Sequence, residues 1–485
     1  MSQTILDILT LILLLGGALL VYFYAIKEHV KGGLIIVLLL GLFLRIEMAA
    51  DPQLHDWDEK YHALVAKNLV KHPLKPTLYD QPVMPTNELD WSSSHIWLSK
   101  PPVPLWIMAS SIAVFGNTIL AIRIPSIILS LLAVYITFLL GKRLFNEKVA
   151  LMAAFLHAIN GLILELAAGK VSSDHVESCF ILCVELAIYF VVLSWGDKKV
   201  YRSIALAGLF TGLAFLSKWF PAFIVFPVWF VGFIFSGKID WKQFFIQGFI
   251  LVGVAALVSI PWILQVNALE DNILERVLFA FAEPVAQHQQ PFYYYWHQIM
   301  IIFGELIYLP IFFAVYFILN RKWKRSNWLL LAWILIPLIV FTLGETKRYT
   351  YVMIAAPAFF LLIANLLMFY TDRYLSSQQR WISVVLITGL LALPVRYSVE
   401  RMKLFQEKKE ISAFYNDLPN YKMTLTENDV VFNIQENIEL MYLTDVAAAY
   451  QYLPAQHQIK MALDQGYVVY ILVDNKLLPI SDRDL

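Results

Sequence analysis

The sequence predicts an all-α polytopic membrane protein that carries a small α/β domain at its C-terminal end. Hydrophobic residues make up 59% of the 485 residues and charged residues only 15%, and the mean hydropathy is +0.64. In soluble domains about a quarter of the residues are charged. The apolar residues lie in long runs, whereas polar residues return after position 397. Together these observations indicate a chain embedded in a bilayer and followed by an extramembrane tail.

About twelve apolar segments are long enough to cross the hydrocarbon core of a bilayer, which takes roughly 17 to 25 helical residues. The first segment has no basic residue ahead of it and no small-residue cleavage site after it, so we expect a retained helix. The block 203–236 contains Lys218 and forms either one long span or two short ones. The predicted spans are residues 4–26, 32–50, 119–140, 149–169, 176–195, 203–217, 219–236, 243–264, 297–319, 327–343, 349–370 and 381–397.

The basic residues of the short loops predict the orientation of these spans. Lysine and arginine resist translocation and stay cytoplasmic, and clusters such as Lys142 with Arg143 fall in alternate loops. The long connections and the tail then lie on the outer face of the membrane. We therefore predict a transmembrane domain over residues 1–397, with outer loops at 51–118 and 265–296, and a separate extracytoplasmic domain over residues 398–485.

The tail 398–485 has the pattern of a small α/β domain. Charged residues return there, and the runs 429–432 and 466–473 are rich in the β-branched and aromatic residues that favour strands. A helical pattern lies between these runs at 447–464. The tail shows no catalytic constellation, so we assign it no site residues.

Charge and hydropathy also bear on the class of function. The formal net charge is zero and no run of five like charges occurs, so nucleic acid is not an expected partner. The two halves of the chain do not match in hydropathy, as the repeats of secondary transporters do. This weakens a lipid or small-molecule transporter without excluding it, and Glu165 and Glu185 would be its coupling groups. A structural subunit of an envelope assembly also stays open, and it predicts that the acidic and basic loop residues are replaceable.

The first outer loop opens with an acidic segment directly after a predicted span. Asp58 and Glu59 follow His55, and apolar residues then recur at helical spacing from Tyr61 to Leu69. This pattern predicts an amphipathic helix along the membrane interface, with its apolar face towards the lipid. Asp58 would lie in its first turn, where a carboxylate either caps the helix or acts as a general base on an acceptor hydroxyl.

Basic residues on the same predicted face suit a lipid phosphate. Lys100 precedes two prolines that stiffen the loop, Arg276 lies in the second long loop with His288, and Lys347 stands four residues before Tyr351. Ammonium and guanidinium groups bind phosphate. Lysines and aromatic residues also occur at membrane interfaces without any function. The sequence therefore predicts an anion site at the outer face. The alternative is that these are ordinary interfacial residues without a function.

Two further features have both an ordinary and a functional explanation. Asp174 begins a predicted span after a short turn, where helix capping is the default explanation. A divalent metal is conceivable at the first outer loop, but a single His/Asp pair at i,i+4 is weak evidence for one. No cofactor is therefore predicted and metal dependence stays open. The candidate metal ligands are His55, Asp56, Asp58, Glu59 and His62.

Several short motifs occur in a recognisable order: Asp58-Glu59, Lys100-Pro101-Pro102, Phe115-Gly116-Asn117, Arg123-Ile124-Pro125-Ser126, Gly141-Lys142-Arg143, Gly169-Lys170, Pro291-Phe292-Tyr293 and Thr346-Lys347. In this order they resemble the polytopic glycosyltransferases of the GT-C fold, specifically the family of the protein mannosyltransferases and the aminoarabinose transferase of lipid A. The resemblance covers roughly residues 35 to 370. In one departure, Lys347-Arg348-Tyr349 stands where the family has Lys-Leu-Pro.

The resemblance implies a GT-C membrane domain and an inverting transfer of a sugar from a polyprenyl-phosphate donor to an acceptor hydroxyl. The acceptor would be a lipid A-like lipid, a glycan or a protein, at the periplasmic or exterior face of a bacterial inner membrane. By matching motifs, Asp58 is the catalytic acidic residue, Glu59 supports it and Asp174 is a second acidic position. The implied ligands of the lipid phosphate are Lys100, Arg276, Lys347 and Tyr351, and the candidate donor or acceptor contacts are His55, Tyr61, His288 and Tyr293.

Overall fold

The computed structural model describes residues 3–87, 90–196, 199–237, 239–269, 275, 288–304, 308, 324–374, 380–407, 410–474 and 476–481. Within these ranges the chain is mostly helical and has one small sheet near its C-terminal end. Most of the predicted span 297–319 lies outside the described residues, as does Arg276.

The membrane part is built from long apolar helices joined by short connections. Two 3-10 helices, Phe220–Ile224 and Tyr349–Ala355, precede α10 and α14. In chain order the α-helices are α1 (Gln3–Ile26), α2 (Val30–Ala49), α3 (Asp58–Lys71), α4 (Pro102–Phe115), α5 (Ile119–Leu144), α6 (Glu147–Ile159), α7 (Gly161–Ala167), α8 (Asp174–Leu193), α9 (Val200–Lys218), α10 (Val225–Ile234), α11 (Trp241–Asn267), α12 (Tyr294–Phe303), α13 (Arg325–Leu343), α14 (Ala356–Tyr374) and α15 (Arg380–Met402).

Polar side chains set where several of these helices begin. Thr118, Asn146 and Asn160 each accept a hydrogen bond from a backbone N–H three residues on, at the start of α5, α6 and α7. Asp240 accepts from two N–H groups at the start of α11. The first N–H groups of a helix have no partner within it, so such caps stabilise the start.

Eight helices among the described residues are long and apolar enough to cross a membrane, or nine if the bent pair α6 and α7 is one span. The predicted number of about twelve is therefore not confirmed. In the block 203–236, α9 ends at Lys218 because Trp219 takes the left-handed φ of 60° and Pro221 begins the next turn. The rest of this block forms a short apolar segment, Phe220–Ile234. The predicted helix at 381–397 is present as α15, which is not among the eight.

Small residues bring the membrane helices close together. A Cβ atom on Gly208 of α9 would lie 2.7 Å from the carbonyl oxygen of Leu251 in α11. A Cβ atom on Gly141 of α5 would lie 2.6 Å from the Cα of Ala150 in α6. Glycine at both positions lets the backbones approach closely, as is common between membrane helices.

The C-terminal part folds as the predicted small α/β unit. Strand β1 pairs in parallel with β2 and β3, β4 pairs antiparallel with β3, and the strand order is β2-β1-β3-β4. The helix predicted at 447–464 begins only at Gln456, because Ala448 and Ala449 pair with β1. The elements are α16 (Ala413–Thr424), β1 (Asp429–Phe432), α17 (Asn437–Leu443), β2 (Ala448–Ala449), α18 (Gln456–Asp464), β3 (Val468–Val473) and β4 (Lys476–Ile480).

Helix α3 (Asp58–Lys71) forms where the sequence of the first outer loop predicts an amphipathic helix. Its apolar side does not face lipid. Ala63, Leu64 and Leu69 are buried in a core that they share with Phe432 and Leu440 of the C-terminal domain. This core is separate from the core of the membrane helices. The expectation of an apolar face towards the membrane was wrong, because helical periodicity shows that one face is buried but not what covers it.

Candidate functional site

Asp58 lies in the first turn of α3 and points to other elements of the fold. Its Oδ2 accepts a hydrogen bond of 3.0 Å from the backbone N–H of Ser173, and the Nζ of Lys100 lies 3.5 Å away. Burial favours the neutral carboxyl group, but Lys100, His62 and the Ser173 N–H outweigh it, so the pKa of Asp58 lies well below its ordinary value. The N-cap position belongs to Trp57, so Asp58 does not cap α3.

Glu59, the next residue, is fully enclosed by partners. Arg123 donates to both of its oxygens, at 2.7 and 3.0 Å, and His175 Nε2 lies 3.1 Å from Oε1. The backbone N–H and Nδ1 of His55 also contact Oε2, at 2.7 and 2.9 Å. A Cβ atom on Gly169 would lie 2.5 Å from Oε1. Burial opposes ionisation, yet the Arg123 guanidinium holds the pKa of Glu59 well below its usual range. Glu59 therefore anchors the loop and offers no free oxygen to a substrate.

Asp174 is buried and faces α3 from the start of α8. Both of its carboxylate oxygens lie 2.8 Å from the Nδ1 of His62, which is one helical turn beyond Asp58. Ser173 and Asp174 have φ values of 71° and 30°, in the left-handed region that residues other than glycine rarely adopt. This turn aims the Ser173 N–H at Asp58 while Asp174 orients His62.

Three cations and one phenol gather beside Asp58. Lys218, at the end of α9, forms an ion pair with Glu177, and its Nζ lies 5.4 Å from the centre of the Tyr351 ring. Lys218 is within electrostatic range of Lys100, Asp58 and Arg348. We call Asp58, Lys100, Lys218, Arg348 and Tyr351 the outer cluster. Cations grouped in this way suit an anionic ligand such as a phosphate.

The remaining residues implied by the family motifs have other positions. The Nζ of Lys347 donates to the backbone carbonyls of Gln290 and Gly344, at 2.9 and 2.5 Å, so it ties two loops together. His288 Nε2 lies 2.5 Å from the guanidinium of Arg348. Tyr293 is 53% exposed and packs beside exposed aromatic neighbours.

Tyr61 lies on α3 near the outer cluster but is engaged with its own loop. Its ring packs 4.6 Å from the ring of Trp91. Burial, together with Glu439, Asp90 and Asp58, raises the pKa of Tyr61 to about 12, so the phenol stays protonated. Arg276 lies outside the described residues, and its part in phosphate binding stays a prediction.

Sequence reasoning did not single out Lys218 or Arg123 as site residues. Lys218 stands inside an apolar block, where it served only to divide two spans. A lysine at the predicted outer end of a span departs from the usual cytoplasmic bias and was a usable signal. Arg348 marked a departure from the family motif. The role of Arg123 depends on contacts between distant segments, because Glu59 is 64 residues away.

The candidate metal ligands of the first outer loop are engaged by protein groups. His55 and Glu59 contact Arg123, and His62 contacts Asp174. In the described part of the chain, no group of three or more His, Cys, Asp or Glu side chains is arranged to hold a metal ion.

A cavity of about 350 Å³ lies between the outer ends of α2 and α5 and the C-terminal domain. Arg123 donates to the carbonyls of Ala49 and Asp51 in its wall. No member of the outer cluster lines this cavity, so the cavity is separate from that cluster.

Comparisons with known proteins find relatives that are similar in sequence or in fold. Residues 99–264 match the family model of the dolichyl-phosphate-mannose-protein mannosyltransferases. The undecaprenyl phosphate-alpha-4-amino-4-deoxy-L-arabinose arabinosyl transferase of Pseudomonas paraeruginosa is 28% identical over 281 residues, which are 54% of this chain and 49% of that protein. The chain thus spans about half the length of this curated relative. The crystal structure of ArnT from Cupriavidus metallidurans superimposes with a TM-score of 0.64 and 12% identity, covering 92% of this chain and 93% of that one.

The chain is similar in sequence to the protein mannosyltransferases and the aminoarabinose transferases. It has the GT-C fold and is an integral membrane protein. A second ArnT structure is bound to undecaprenyl phosphate and has a TM-score of 0.62, with 12% identity, covering 91% of this chain and 92% of that one. The oligosaccharyltransferase AglB from Archaeoglobus fulgidus, in complex with an inhibitory peptide and a dolichol-phosphate, has a TM-score of 0.57 and 13% identity, covering 91% of this chain and 69% of that one.

Proposed function

We propose that this chain is a glycosyltransferase that moves a sugar from a polyprenyl-phosphate donor to an acceptor hydroxyl with inversion at the anomeric carbon. The reaction takes place at the extracytoplasmic face of the membrane, which in a bacterium is the periplasmic face of the inner membrane. The acceptor is a lipid, a glycan or a protein. Similarity to an undecaprenyl phosphate-dependent arabinosyl transferase, of which the chain spans about half, supports this proposal.

The observation that carries this proposal is the outer cluster. A carboxylate held ionised at the start of an extramembrane helix faces Lys100, with Lys218 and Arg348 close by. A donor phosphate requires cations, and an attacking hydroxyl requires a proton acceptor. The cluster brings both kinds of group together. The undecaprenyl phosphate bound to ArnT and the dolichol-phosphate bound to AglB support a polyprenyl phosphate as the ligand.

The proposed step is a single displacement. The acceptor oxygen forms a bond to the anomeric carbon while the bond from that carbon to the phosphate oxygen breaks. The proton of the acceptor hydroxyl passes to Asp58, and the electron pair of the broken bond stays on the lipid phosphate. Lys100, Lys218 and Arg348 lie where negative charge accumulates, so they stabilise the transition state more than the ground state. Glu59 and Asp174 do not touch the substrate in this scheme and position its surroundings.

Lys100 has two partners in the proposed cycle. In the free protein its ammonium pairs with Asp58 and contributes to the low pKa of that carboxyl group, which makes Asp58 a weak base. A bound donor phosphate competes for the same ammonium. When Lys100 turns to the phosphate, the pKa of Asp58 rises, and the base becomes stronger once the donor is in place.

The test is transfer of radiolabelled 4-amino-4-deoxy-L-arabinose, and in parallel mannose, from undecaprenyl phosphate to a membrane extract. Wild-type protein is compared with Asp58→Asn, which keeps the shape of the side chain, and with Asp56→Asn, which changes an exposed carboxylate two residues away. Loss of a general base typically lowers the rate by about 10²- to 10⁴-fold. We expect that loss in Asp58→Asn and near wild-type transfer in Asp56→Asn.

Undecaprenyl phosphate binding and thermal stability in detergent serve as controls for folding. Equal transfer by wild type and Asp58→Asn would remove Asp58 from the mechanism. An absence of transfer by the wild type from both donors would contradict the proposed function and strengthen the transporter alternative.

A further inference from the structure

Helix α3, which carries Asp58, is held by the C-terminal domain through two lysines. The first is Lys60, whose Nζ lies 3.1 Å from Oε1 of Glu439 on α17. Only 13% of the Lys60 side chain and 5% of the Glu439 side chain are exposed. Burial raises the pKa of Glu439 and Lys60 opposes the shift. Loss of either partner would leave an uncompensated buried charge, which favours the paired arrangement.

The second is Lys67, whose ammonium group lies at the carboxyl end of α17. Its Nζ donates to the backbone carbonyls of Met441 and Tyr442, at 2.8 and 3.3 Å, and to that of Thr444. The last carbonyls of a helix have no partner within it and carry partial negative charge. Burial lowers the pKa of Lys67 to about 8, so the ammonium stays mostly charged at neutral pH. One cation therefore fixes α3 against the end of α17.

Hydrogen bonds on either side of α3 join the same two units. Before the helix, the backbone N–H of Leu54 donates to the hydroxyl of Tyr415 at 2.7 Å. After the first outer loop, the hydroxyl of Tyr442 donates to the carbonyl of Thr118 at 2.8 Å. The outer loop and the C-terminal domain thus behave as one packed unit around the shared core.

The position of Asp58 depends on how α3 is turned about its axis. Successive residues of a helix are about 100° apart, so a rotation by one position would carry Asp58 away from the Ser173 N–H. Lys60 lies two residues from Asp58, and Lys67 lies on the same rigid helix. Contacts at both lysines therefore limit the rotation and sliding of α3 and so hold the carboxylate of Asp58 in place.

We infer that the C-terminal domain is a positioning element for sugar transfer, in which Glu439 and the carboxyl end of α17 hold Lys60 and Lys67 and so keep Asp58 in register with Ser173 and Lys100. This role rests on the proposed function. Lys60 and Lys67 are positioning residues that do not touch the donor.

The test compares Lys60→Met and Lys67→Met, which keep the aliphatic stem, with Lys60→Arg and Lys67→Arg, which keep the charge. Lys71→Met is the matched control, because Lys71 ends the same helix and is 64% exposed. A displacement of about 1 Å can lower a rate roughly 10²-fold. We expect kcat to fall by roughly 10- to 100-fold in the methionine variants. The KM for the donor and the affinity for undecaprenyl phosphate should stay within about twofold, and the arginine variants should recover much of the rate.

A merely structural role would lower the affinity for the donor together with kcat, and the arginine variants would not restore kcat. That pattern, or a kcat within about twofold of wild type in both methionine variants, would overturn the positioning role. A wild type that transfers no sugar would overturn the proposed function and this role with it. An active wild type with unchanged methionine variants would overturn this role alone.

Discussion

Two groups of charged side chains occupy different surroundings in this chain, the outer cluster around Asp58 and an inner cluster among the membrane helices. The inner cluster consists of Arg45 on α2, Thr137 on α5, His157 on α6 and Glu185 on α8. Thr137 Oγ1 donates to Glu185 Oε1 at 3.1 Å and lies 2.8 Å from His157 Nδ1. Both clusters contain acidic and basic groups, so residue type alone does not separate them.

The two clusters differ in their solvent exposure and in the partners of their charged groups. Arg45, Glu185 and His157 are at most 1% exposed, whereas the side chains of Asp58 and Lys100 are 15% and 20% exposed. Arg45 donates to the carbonyl of Gly41 in its own helix, to the carbonyl of Ala158 in α6 and to the hydroxyl of Ser130 in α5. Charged groups are expensive within a bilayer and persist there when neighbouring groups hold them. The inner cluster therefore joins helices, and the outer cluster can exchange its partners with a ligand.

Arg45 of the inner cluster and Arg123, which pairs with Glu59 beside the outer cluster, are both fully buried and give the sharpest test of this comparison. Arg123→Met would leave Glu59 buried without its counter-charge, which costs about 3–5 kcal/mol. Arg45 has no carboxylate partner among the described residues, so Arg45→Met removes a buried charge and should have a far smaller effect. Thermal unfolding in detergent measures both. An equal loss of stability in Arg123→Met and Arg45→Met would contradict this comparison. The double variant Glu59→Gln with Arg123→Met should recover stability.

Lys100→Met tests whether the outer cluster exchanges partners. Asp58 must be ionised to accept a proton, and Lys100 lowers its pKa, so wild-type kcat/KM should stay high to well below pH 4. Without Lys100 the pKa of Asp58 rises, and the acid limb should move upward by about one pH unit or more. The pH profile of kcat/KM reports the free enzyme. An unchanged acid limb would show that Lys100 does not control Asp58.

The smallest effect is expected from Glu185→Gln. The variant keeps the shape of the side chain and a hydrogen bond to Thr137, so sugar transfer should stay within about twofold of wild type. A transporter that uses Glu185 for coupling would instead lose its transport activity in this variant. The measurement is sugar transfer by the purified variant beside wild type. Loss of that transfer would assign a function to the inner cluster.

The sequence was sufficient for the fold class and for part of the outer cluster. The family motifs predicted Asp58, Lys100 and Tyr351, which the structure brings close to Lys218. Lys218 itself was missed because its neighbours in sequence are apolar and its site partners come from other helices.

The surroundings of α3 were also beyond sequence reasoning. Periodicity predicted a buried face at Leu64 and Leu69, but their contact with the C-terminal domain depends on segments more than 350 residues apart, as the pairing of Lys60 with Glu439 shows. The predicted number of about twelve spans is not confirmed among the described residues. In the block 203–236, which the sequence left as one long span or two short ones, the turn at Trp219 leaves only a short apolar segment after α9.

The pairing of Lys60 with Glu439 also orders events during synthesis of the protein. The two residues are 379 positions apart. At roughly 5–20 residues per second, α3 leaves the ribosome about 20–75 s before its partner helix exists. During that interval its lysines and apolar side chains have nothing of the C-terminal domain to bind. A segment that is translated later therefore completes the docking surface of α3, and a nascent chain that stops short of α17 would be inserted in the membrane with α3 still undocked.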